Sequence, residues 1–436
     1  MTFGAAGDGH TDNTTAIQKA IDACASRGGG TVQLSASGNK STYLTGPLTL
    51  RSHIRLQVDQ GVTLQGTNDH SRYVGSYINW VYQPHEALIS AQGATDVEIA
   101  GAGTIDGAGG QLQPNGEPSW WTLGRNPSFY RPWLIEFYQC DHVTITGVTL
   151  QNSPFWTQAL RFSHAIKESG VTVRAPETSP NTDGLVLVGS TDVTVSDLDI
   201  SVGDDIIAIK SGLPIDPTDP KQRGIPRMAT SQVHVTNIVA GHGHGVSIGS
   251  ESANGVNNVT IQGVHFTGTS NGFRLKTGRD RGSQIYAITA SDLTMTGVDI
   301  PLIIYSYYPT ARAPAEPPYE PAHAITSSTP YVHDITVRNL VATDSGGQSI
   351  VQGLPESCIR NLTLNNVSIQ TRGLGIDLRH VTGTFNNVTS TAADSKQPFI
   401  VEENVSVTAT GNTPSIPATQ PQTGQVACAA QSSAGK

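Results

Sequence analysis

The 436-residue sequence is poor in charged residues and contains no long apolar run. Charged residues make up 14% of the chain, whereas long helices and coiled coils need Glu, Lys, Arg, Ala and Leu in quantity. No apolar run approaches the ~18 residues of a membrane-spanning helix. Hydrophobic residues still make up 37% of the chain, too many for a disordered protein. The composition therefore excludes a mainly helical, a disordered or a membrane-spanning protein, and we expect no membrane partner.

Basic residues and cysteines are also scarce. The net charge is −9 at pH 7, which argues against a general nucleic-acid binder. A local basic cluster can still bind an anionic ligand. None of the four cysteines lies in a C-x-x-C motif, so a zinc ribbon is unsupported and three disulfide pairings remain open. The cysteines are Cys24, Cys140, Cys358 and Cys428.

The N-terminal segment predicts one helix and no leader peptide. It lacks the basic and apolar regions of a leader, so we expect either a cytoplasmic protein or one whose leader was removed ahead of Met1. The helix is predicted over residues 13–26, because Thr11-Asp12 offers a cap and glycines follow at residues 28–30. The apolar positions that recur with helical spacing are Ala16, Ile17, Ala20, Ile21 and Cys24.

After this helix the sequence consists of short strand patterns that repeat. A Val-x-Val-type triplet, a turn and a second apolar pair return at spacings of 22 to 40 residues, which indicates a solenoid or a propeller. Propeller blades need about 40 residues or more, so we predict an all-β parallel β-helix with an N-terminal capping helix. We expect one domain over residues 1–410, since stacked coils share a core, and a loosely ordered tail over residues 411–436. Successive triplets begin at Val143, Val171, Val193, Val233 and Val259.

Three Pro/Gly-rich insertions interrupt the repeats, at residues 106–133, 213–231 and 309–330. Long aperiodic loops are usually functional, so we expect these insertions to form the walls of a groove. The first insertion is rich in aromatic side chains, which either pack beneath the loop or form a surface on which a sugar ring stacks. These side chains are Trp120, Trp121, Tyr130 and Trp133.

Four successive repeats share a glycine-bearing polar cluster beside a short strand. Asp183 and Asp204 are 21 residues apart, which is about one coil. Equivalent positions on adjacent coils lie ~4.8 Å apart, so the clusters predict a linear site with acids in the middle and positive charge at one end. The clusters are Asn181-Thr182-Asp183-Gly184, Gly203-Asp204-Asp205, Gly241-His242-Gly243-His244-Gly245 and Gly272-Phe273-Arg274-Leu275-Lys276-Thr277-Gly278.

Carboxyl groups arranged in this way suit cleavage of a glycosidic bond. One must be protonated to donate to the leaving oxygen, and another must be ionised to activate water or attack. Crowded like charges raise the pKa of one carboxyl and so supply the acid. Arg274 and Lys276 are two residues apart in a strand, face one way and can hold the carboxylate of an acidic sugar. His242 and His244 have no third metal ligand at a suitable spacing, so we expect no metal and no cofactor.

The motifs N-T-D, G-D-D, G-H-G and R-L-K, in this order, resemble those of the polygalacturonase family of glycoside hydrolases, family 28. The stretch from Phe3 to Asp12 and the following AIQKAIDAC are also similar to that family, and the resemblance covers roughly residues 2–410. It implies a right-handed, single-stranded parallel β-helix that hydrolyses α-1,4-linked galacturonan with inversion and without a metal. It further implies a secreted protein, extracellular or periplasmic, that acts on pectin or polygalacturonate. We expect a monomer.

The resemblance also implies a role for each cluster. Asp204 would be the general acid, Asp183 and Asp205 would position and deprotonate the attacking water, and His244 would support the protonation of Asp204. The residues that would bind the substrate are Asn181, Arg274, Lys276 and Tyr308. The family often has a cysteine beside the G-H-G motif, which this sequence lacks, so the disulfide pairing stays open.

Three other functions remain as alternatives: a calcium-dependent pectate lyase-like β-helix, a rhamnogalacturonan hydrolase and a non-catalytic carbohydrate-binding β-helix. The intact N-T-D motif and the Arg274/Lys276 pair favour homogalacturonan over the second of these. Arg274 and Lys276 have an alternative interpretation as a solvated charge stripe with Arg279 and Arg281. Endo or exo cleavage and tolerance of methyl esters stay open.

Overall fold

The computed structural model describes residues 3–38, 41–73, 86–125, 131–309, 321–393, 396–417 and 428. It confirms the predicted all-β fold, a right-handed parallel β-helix. The chain forms two compact units, of which the first comprises residues 1–208 and 216–226 and the second residues 209–215 and 227–436. One domain over residues 1–410 with a separate tail stays a prediction. Among the described residues, no helix is both long and apolar enough to cross a membrane.

The described part of the first unit contains short strands, two α-helices, α1 (Thr14–Ala25) and α2 (Trp120–Leu123), and two 3-10 turns at His70–Arg72 and Pro220–Gln222. Its strands are β1 (Asp8–Asp12), β2 (Gly30–Leu34), β3 (Thr42–Thr45), β4 (Leu48–Thr49), β5 (Ile54–Val58), β6 (Thr63–Gly66), β7 (Ala87–Gln92), β8 (Thr95–Gly101), β9 (Thr104–Asp106), β10 (Trp133–Tyr138), β11 (Asp141–Thr146), β12 (Thr149–Gln151), β13 (Gln158–Arg161), β14 (His164–Ser169), β15 (Thr172–Arg174), β16 (Leu185–Val188) and β17 (Thr191–Ser201). The chain passes into the second unit within β18 (Ile207–Lys210).

Strands of the first unit stack in three parallel columns, one strand of each column per coil. One column runs β1-β3-β6-β9-β12-β15 and ends on the second half of β17. Another runs β2-β5-β8-β11-β14 and ends on the first half of β17. The last runs β4-β7-β10-β13-β16. A coil therefore has three sides, and residues in register on successive coils lie on top of one another.

The second unit combines long bent strands with short ones. Its strands are β19 (Thr230–Ala240), β20 (Val246–Gly249), β21 (Val256–Thr267), β22 (Asn271–Lys276), β23 (Gln284–Thr296), β24 (Ile300–Tyr305), β25 (Tyr331–Ser345), β26 (Ser349–Gln352), β27 (Ile359–Thr371), β28 (Ile376–Arg379), β29 (Val381–Thr391), β30 (Phe399–Val401) and β31 (Val405–Thr410). The odd-numbered strands form one parallel column and the even-numbered strands from β20 form another.

Each long strand bends at a residue with positive φ, which an L-residue adopts most easily when its side chain is short and polar. Asn339, Asn366 and Asn387 occupy this position in β25, β27 and β29. Their side chains form a ladder, in which Asn387 Nδ2 donates to Asn366 Oδ1 at 2.9 Å and Asn366 Nδ2 donates to Asn339 Oδ1 at 3.2 Å. The bend lets one strand serve two sides of a coil.

The repeated triplets provide the inward-facing aliphatic residues, but they do not all lie on one side of the coil. Val143 pairs with Ile166, and Ile166 pairs with Val193, in the column of β11, β14 and β17. Val173 pairs instead with Leu150 and Ile200, in a different column. The succession from Val143 through Val171 to Val193 as equivalent triplets was therefore wrong, because two sides of one coil carry the same local pattern.

Helix α1 confirms the predicted N-terminal helix. Ile17 and Ile21 are its buried residues, and Asp12 Oδ1 accepts a hydrogen bond from Thr14 N at 2.9 Å at its first turn. Gln18 attaches the helix to β4 through two hydrogen bonds with the backbone of Thr49. The helix contacts β2 and β4, which are the first strands of their columns, and β5, which follows β2.

Candidate active site

The first unit places the first two acidic clusters on adjacent coils. Asp183 lies two residues before β16. Asp205 lies two residues before β18, at the equivalent place one coil later. Gly184 N donates to Asp205 O at 2.9 Å, and Leu185 N donates to Ile206 O at 3.2 Å. The residue one coil after Asp183 is therefore Asp205, 22 residues later, and Asp204 lies one residue before it.

The loops that carry these acids are in close contact. Gly203 N donates to Thr182 Oγ1 at 3.0 Å, and Thr182 Oγ1 lies 2.7 Å from Ser179 Oγ. A Cβ atom at residue 203 would lie 2.0 Å from Ser179 O, a distance that no side chain can tolerate. The glycine of the G-D-D motif is thus required by the approach of the neighbouring loop, and the aspartates that follow it are held in a defined place.

Asp204 differs from its acidic neighbours in exposure and in hydrogen bonding. Asp183 and Asp205 are 3% and 1% exposed, while Asp204 is half-buried. Asp204 Oδ1 accepts from Asp205 N at 2.9 Å, and Asp204 Oδ2 accepts from Asn181 Nδ2 at 3.2 Å. The structure thus brings Asn181, Asp183, Asp204 and Asp205 together, with Asp204 the most accessible of the three carboxyl groups.

Arg131 belongs to the same cluster, and sequence reasoning missed it. It is 3% exposed, and its Nη2 donates to Asn181 Oδ1 at 2.8 Å. Burial lowers its pKa to about 10, while the charges of Asp183 and Asp204 act in the opposite direction. Arg131 lies 50 residues before Asn181 in the chain, and no motif surrounds it, so no local signal in the sequence could have found it.

The second unit carries the basic residues on β22. Arg274 and Lys276 alternate with Phe273 and Leu275, which are fully buried. Arg274 Nε donates to Ser247 Oγ on the neighbouring strand at 3.1 Å. The alternation is that of a strand with one apolar face, and it directs both cations to the other face, as the sequence predicted.

Tyr308 lies beside Lys276. The Lys276 ammonium is 5.8 Å from the centre of the Tyr308 ring, and the guanidinium of Arg281 is 4.8 Å from the same ring. Lys276 is only 7% exposed, and Arg279 forms a two-point ion pair with the carboxylate of Glu356, at 2.6 and 3.1 Å. The interpretation of these cations as a solvated charge stripe was therefore wrong.

His244 stands between two glycines of positive φ, Gly243 and Gly245, directly before β20. A Cβ at residue 245 would lie 2.1 Å from Asn271 O, and Gly243 O accepts from Ser270 N at 2.8 Å. The G-H-G loop is therefore bonded to the coil that carries β22. This contact explains why the motif needs its glycines, independently of any role of the histidine.

The aromatic side chains of the first insertion pack inside the protein. Trp120 stacks on His70 with ring centres 3.4 Å apart, and Trp133 stacks on Trp156 at 5.1 Å. Both tryptophans are at most 1% exposed. Trp121 donates its Nε1–H to Ser153 O at 2.8 Å. These three residues favour the packing interpretation, and Tyr130 lies outside the described residues.

One group of potential metal ligands in the second unit consists of Cys358, His380 and Cys428. Cys358 and Cys428 form a disulfide, so their sulfur atoms are not available to a metal. This bond decides among the pairings that the sequence left open, and Cys24 and Cys140 are free thiols.

Comparison with known proteins identifies similar sequences along most of the chain. Residues 25–401 match the model of Glycosyl hydrolases family 28. An endo-polygalacturonase of Pectobacterium carotovorum subsp. carotovorum is 30% identical over 366 residues, which cover 82% of this chain and 84% of the relative. A probable polygalacturonase of Vitis vinifera is 29% identical over 386 residues, covering 85% and 73%. The solved structure of a polygalacturonase from Erwinia carotovora ssp. carotovora has a TM-score of 0.71 and 28% identity, covering 86% and 94%.

Proposed function

Because this chain belongs to glycosyl hydrolase family 28, we propose that it is a polygalacturonase. It hydrolyses the α-1,4-glycosidic bonds between galacturonic acid residues of pectin, with inversion of configuration. The observation that carries this proposal is the group of three carboxyls on adjacent coils, of which Asp204 is accessible while Asp183 and Asp205 are buried. Hydrolysis of a glycosidic bond needs such a division between an acid that meets the leaving oxygen and carboxylates that act on water.

Asp204 is the general acid of the proposed mechanism. In its protonated form it donates to the glycosidic oxygen as the bond to the sugar breaks. The backbone N–H of Asp205 and the amide of Asn181 hold its two oxygens, which fixes the plane of the carboxyl group. Asp183 and Asp205 position a water molecule and accept its proton as it attacks from the opposite face of the sugar, which inverts the anomeric centre. In keeping with the family resemblance, His244 supports the protonation of Asp204.

The substrate carboxylate is the proposed ligand of β22. Arg274 and Lys276 provide positive charge on one face of the strand, and Tyr308 borders Lys276. A buried ammonium with an aromatic neighbour interacts strongly with an anion because little water competes for it. These residues account for a polyanionic substrate in a protein whose net charge is −9.

The protein acts outside the reducing cytoplasm, as a monomer, in this proposal. The disulfide between Cys358 and Cys428 supports an oxidising compartment. Neither a metal nor a cofactor is needed for the acid and base steps, which carboxyl groups perform alone.

Chromatography of the products formed from de-esterified polygalacturonate, sampled over time, tests the proposal. We expect saturated oligogalacturonides, unchanged rates in a metal chelator and a bell-shaped pH–rate profile with its maximum below neutrality. Proton NMR of the first product should show the anomer opposite to that of the substrate. Unsaturated products with calcium dependence would contradict hydrolysis, and no cleavage of polygalacturonate combined with cleavage of rhamnogalacturonan would contradict the substrate.

A further inference from the structure

Arg131 contacts the loop that carries the N-T-D motif at two points and the loop at Pro154 at a third. Its Nη1 lies 2.9 Å from Pro154 O and 2.6 Å from Pro180 O, and its Nη2 lies 2.8 Å from Asn181 Oδ1. The guanidinium stands over the ring of Phe155, 4.5 Å from its centre. The guanidinium is held at both terminal nitrogens and against one face of its plane, so it has a single orientation. Arg131 is therefore a rigid support for Asn181.

The chemistry of the guanidinium determines which way the Asn181 amide points. Arginine carries only donors, so the Asn181 atom beside Nη2 must be the carbonyl oxygen. The other end of the amide, the N–H group, then faces Asp204 Oδ2 at 3.2 Å. We propose that Arg131 is a positioning residue, which makes Asn181 a hydrogen-bond donor to Asp204 and prevents it from acting as an acceptor. This inference rests on the proposed function of Asp204 as the general acid.

The direction of this hydrogen bond matters for proton transfer. If the amide of Asn181 were turned round, its carbonyl oxygen would accept the proton of protonated Asp204. The proton would then be held within the protein and away from the glycosidic oxygen, and the neutral form of the acid would be stabilised. With Arg131 in place, Asn181 supports the carboxyl oxygen without competing for the proton.

The positive charge of Arg131, like its effect on the Asn181 amide, favours release of the proton from Asp204. Charged groups of the first unit near Asp204 include Asp183, the adjacent Asp205 and Arg131, which interacts electrostatically with both Asp183 and Asp204. Two of them are carboxyls that oppose ionisation of Asp204, and Arg131 is the cation that favours it. Removal of Arg131 should therefore raise the pKa of Asp204 and weaken it as an acid, by loss of charge and by release of the amide.

The test uses Arg131→Met, which keeps the unbranched stem of the side chain and removes the guanidinium with its donors. We expect kcat on polygalacturonate to fall ~10- to 100-fold, as for a misplaced catalytic group, with KM changed less than about threefold. The alkaline limb of the pH profile should move to higher pH. The double variant with Asn181→Ala should be no slower than Asn181→Ala alone, since Arg131 acts through that amide.

Arg161→Met is the matched control. Arg161 is a buried arginine of the same unit, 1% exposed, and it pairs with the buried Glu136 beside the rings of Trp133 and Tyr138. Its loss should lower the melting temperature but leave the alkaline limb in place. A fall in melting temperature without a shift of the limb in Arg131→Met would overturn the proposal, because the arginine would then be structural only.

Two further measurements keep the test decisive. If Arg131→Met does not fold, Arg131→Lys replaces it, because lysine keeps the charge and a single donor group. This variant should retain the fold but lose most of kcat. Activity near that of the wild type would contradict the proposal. Carboxyl carbon NMR of Asp204, assigned with Asp204→Asn, needs no substrate and should show a higher pKa in the arginine variant. Failure of the wild type to cleave polygalacturonate would reject the proposed function, while an unchanged Asp204 titration would reject the role of Arg131.

Discussion

At the scale of single residues, Glu168 is a carboxyl group in a column of aliphatic side chains. It pairs in register with Ile145 on one coil and Val195 on the next, and it is 1% exposed. Gln158 Nε2 donates to its Oε1 at 2.9 Å. Among the described residues its Oε2 has no hydrogen-bond partner. Burial raises the pKa of this carboxyl to about 7, so the group is neutral in the folded protein under acidic conditions.

The raised pKa of Glu168 predicts that the free energy of unfolding decreases as the pH rises towards neutrality. Its pKa is about 7 in the folded protein and 4.5 as an ordinary glutamate, so its contribution to stability is complete below pH 4.5 and is lost as the pH passes about 7. This difference corresponds to on the order of 3 kcal/mol. Glu168→Gln should therefore raise the melting temperature at pH 7.5 and change it little at pH 4.5. An equal change at both pH values in scanning calorimetry would contradict this prediction.

Asp204→Asn should nearly abolish hydrolysis while the fold survives. The amide has the same shape as the acid, but it cannot donate a proton to the leaving oxygen. The expected loss of kcat is ~10²- to 10⁴-fold, the usual range for a general acid. Initial rates on polygalacturonate, together with the circular dichroism and melting curve of the variant, provide the measurement. More than a tenth of wild-type activity would be incompatible with the assignment.

At the scale of elements, apolar core residues and cationic residues alternate along β22. Phe273 and Leu275 are fully buried, while Arg274 and Lys276 occupy the other face. The apolar residues stabilise the coil, and the other face of the strand carries the positive charge. Because Lys276 is itself only 7% exposed, its side chain also contributes packing through its methylene groups.

Lys276→Met separates these two contributions. Methionine retains much of the apolar stem and removes the charge, so the melting temperature should change little. A lost charge-assisted contact costs ~1.5–3 kcal/mol, which corresponds to a fall in kcat/KM of roughly 10- to 100-fold on polygalacturonate. The control is Lys167→Met, an exposed lysine of β14 that changes the net charge equally. Equal kcat/KM for Lys276→Met and the wild type would reject the substrate-binding role.

At the scale of the whole molecule, a disulfide adds a long-range cross-link to the parallel ladders. The strand columns connect each coil only with its neighbours, as is typical of solenoids. The Cys358–Cys428 disulfide joins residues 70 positions apart, and Cys358 is fully buried in the second unit. This bond therefore ties residue 428 to the core, and the loosely ordered tail over residues 411–436 stays a prediction.

Removal of the disulfide should destabilise the protein measurably. A disulfide typically contributes ~2–4 kcal/mol, and the chain-entropy relation gives about 4 kcal/mol for a loop of this length. Cys428→Ala should lower the midpoint of denaturant unfolding, and reducing agent should have little further effect on that variant. Cys24→Ala is the control, because Cys24 is a free thiol. If both variants unfold at the midpoint of the wild type, the disulfide has no stabilising role.

The sequence alone was sufficient to predict the type of fold, the N-terminal helix and the acidic clusters. These features depend on short-range signals: apolar periodicity in α1, repeated triplets in the strands, and acids such as Asp183 and Asp204 spaced by about one coil. Alternation within β22 was equally local, and it placed Arg274 and Lys276 on one face. Such signals are readable because the backbone geometry of a helix or a strand repeats at a fixed period.

Only the tertiary structure decided the relations between residues on different coils. It placed the Val173 triplet in another column from that of Val143, chose the Cys358–Cys428 pairing, and brought Arg131 to Asn181 across 50 residues. Coil lengths vary with each insertion, so the sequence does not state which positions stack. The pattern within a strand indicates that a side chain is buried. Its partners on neighbouring coils depend on the lengths of all intervening turns and loops.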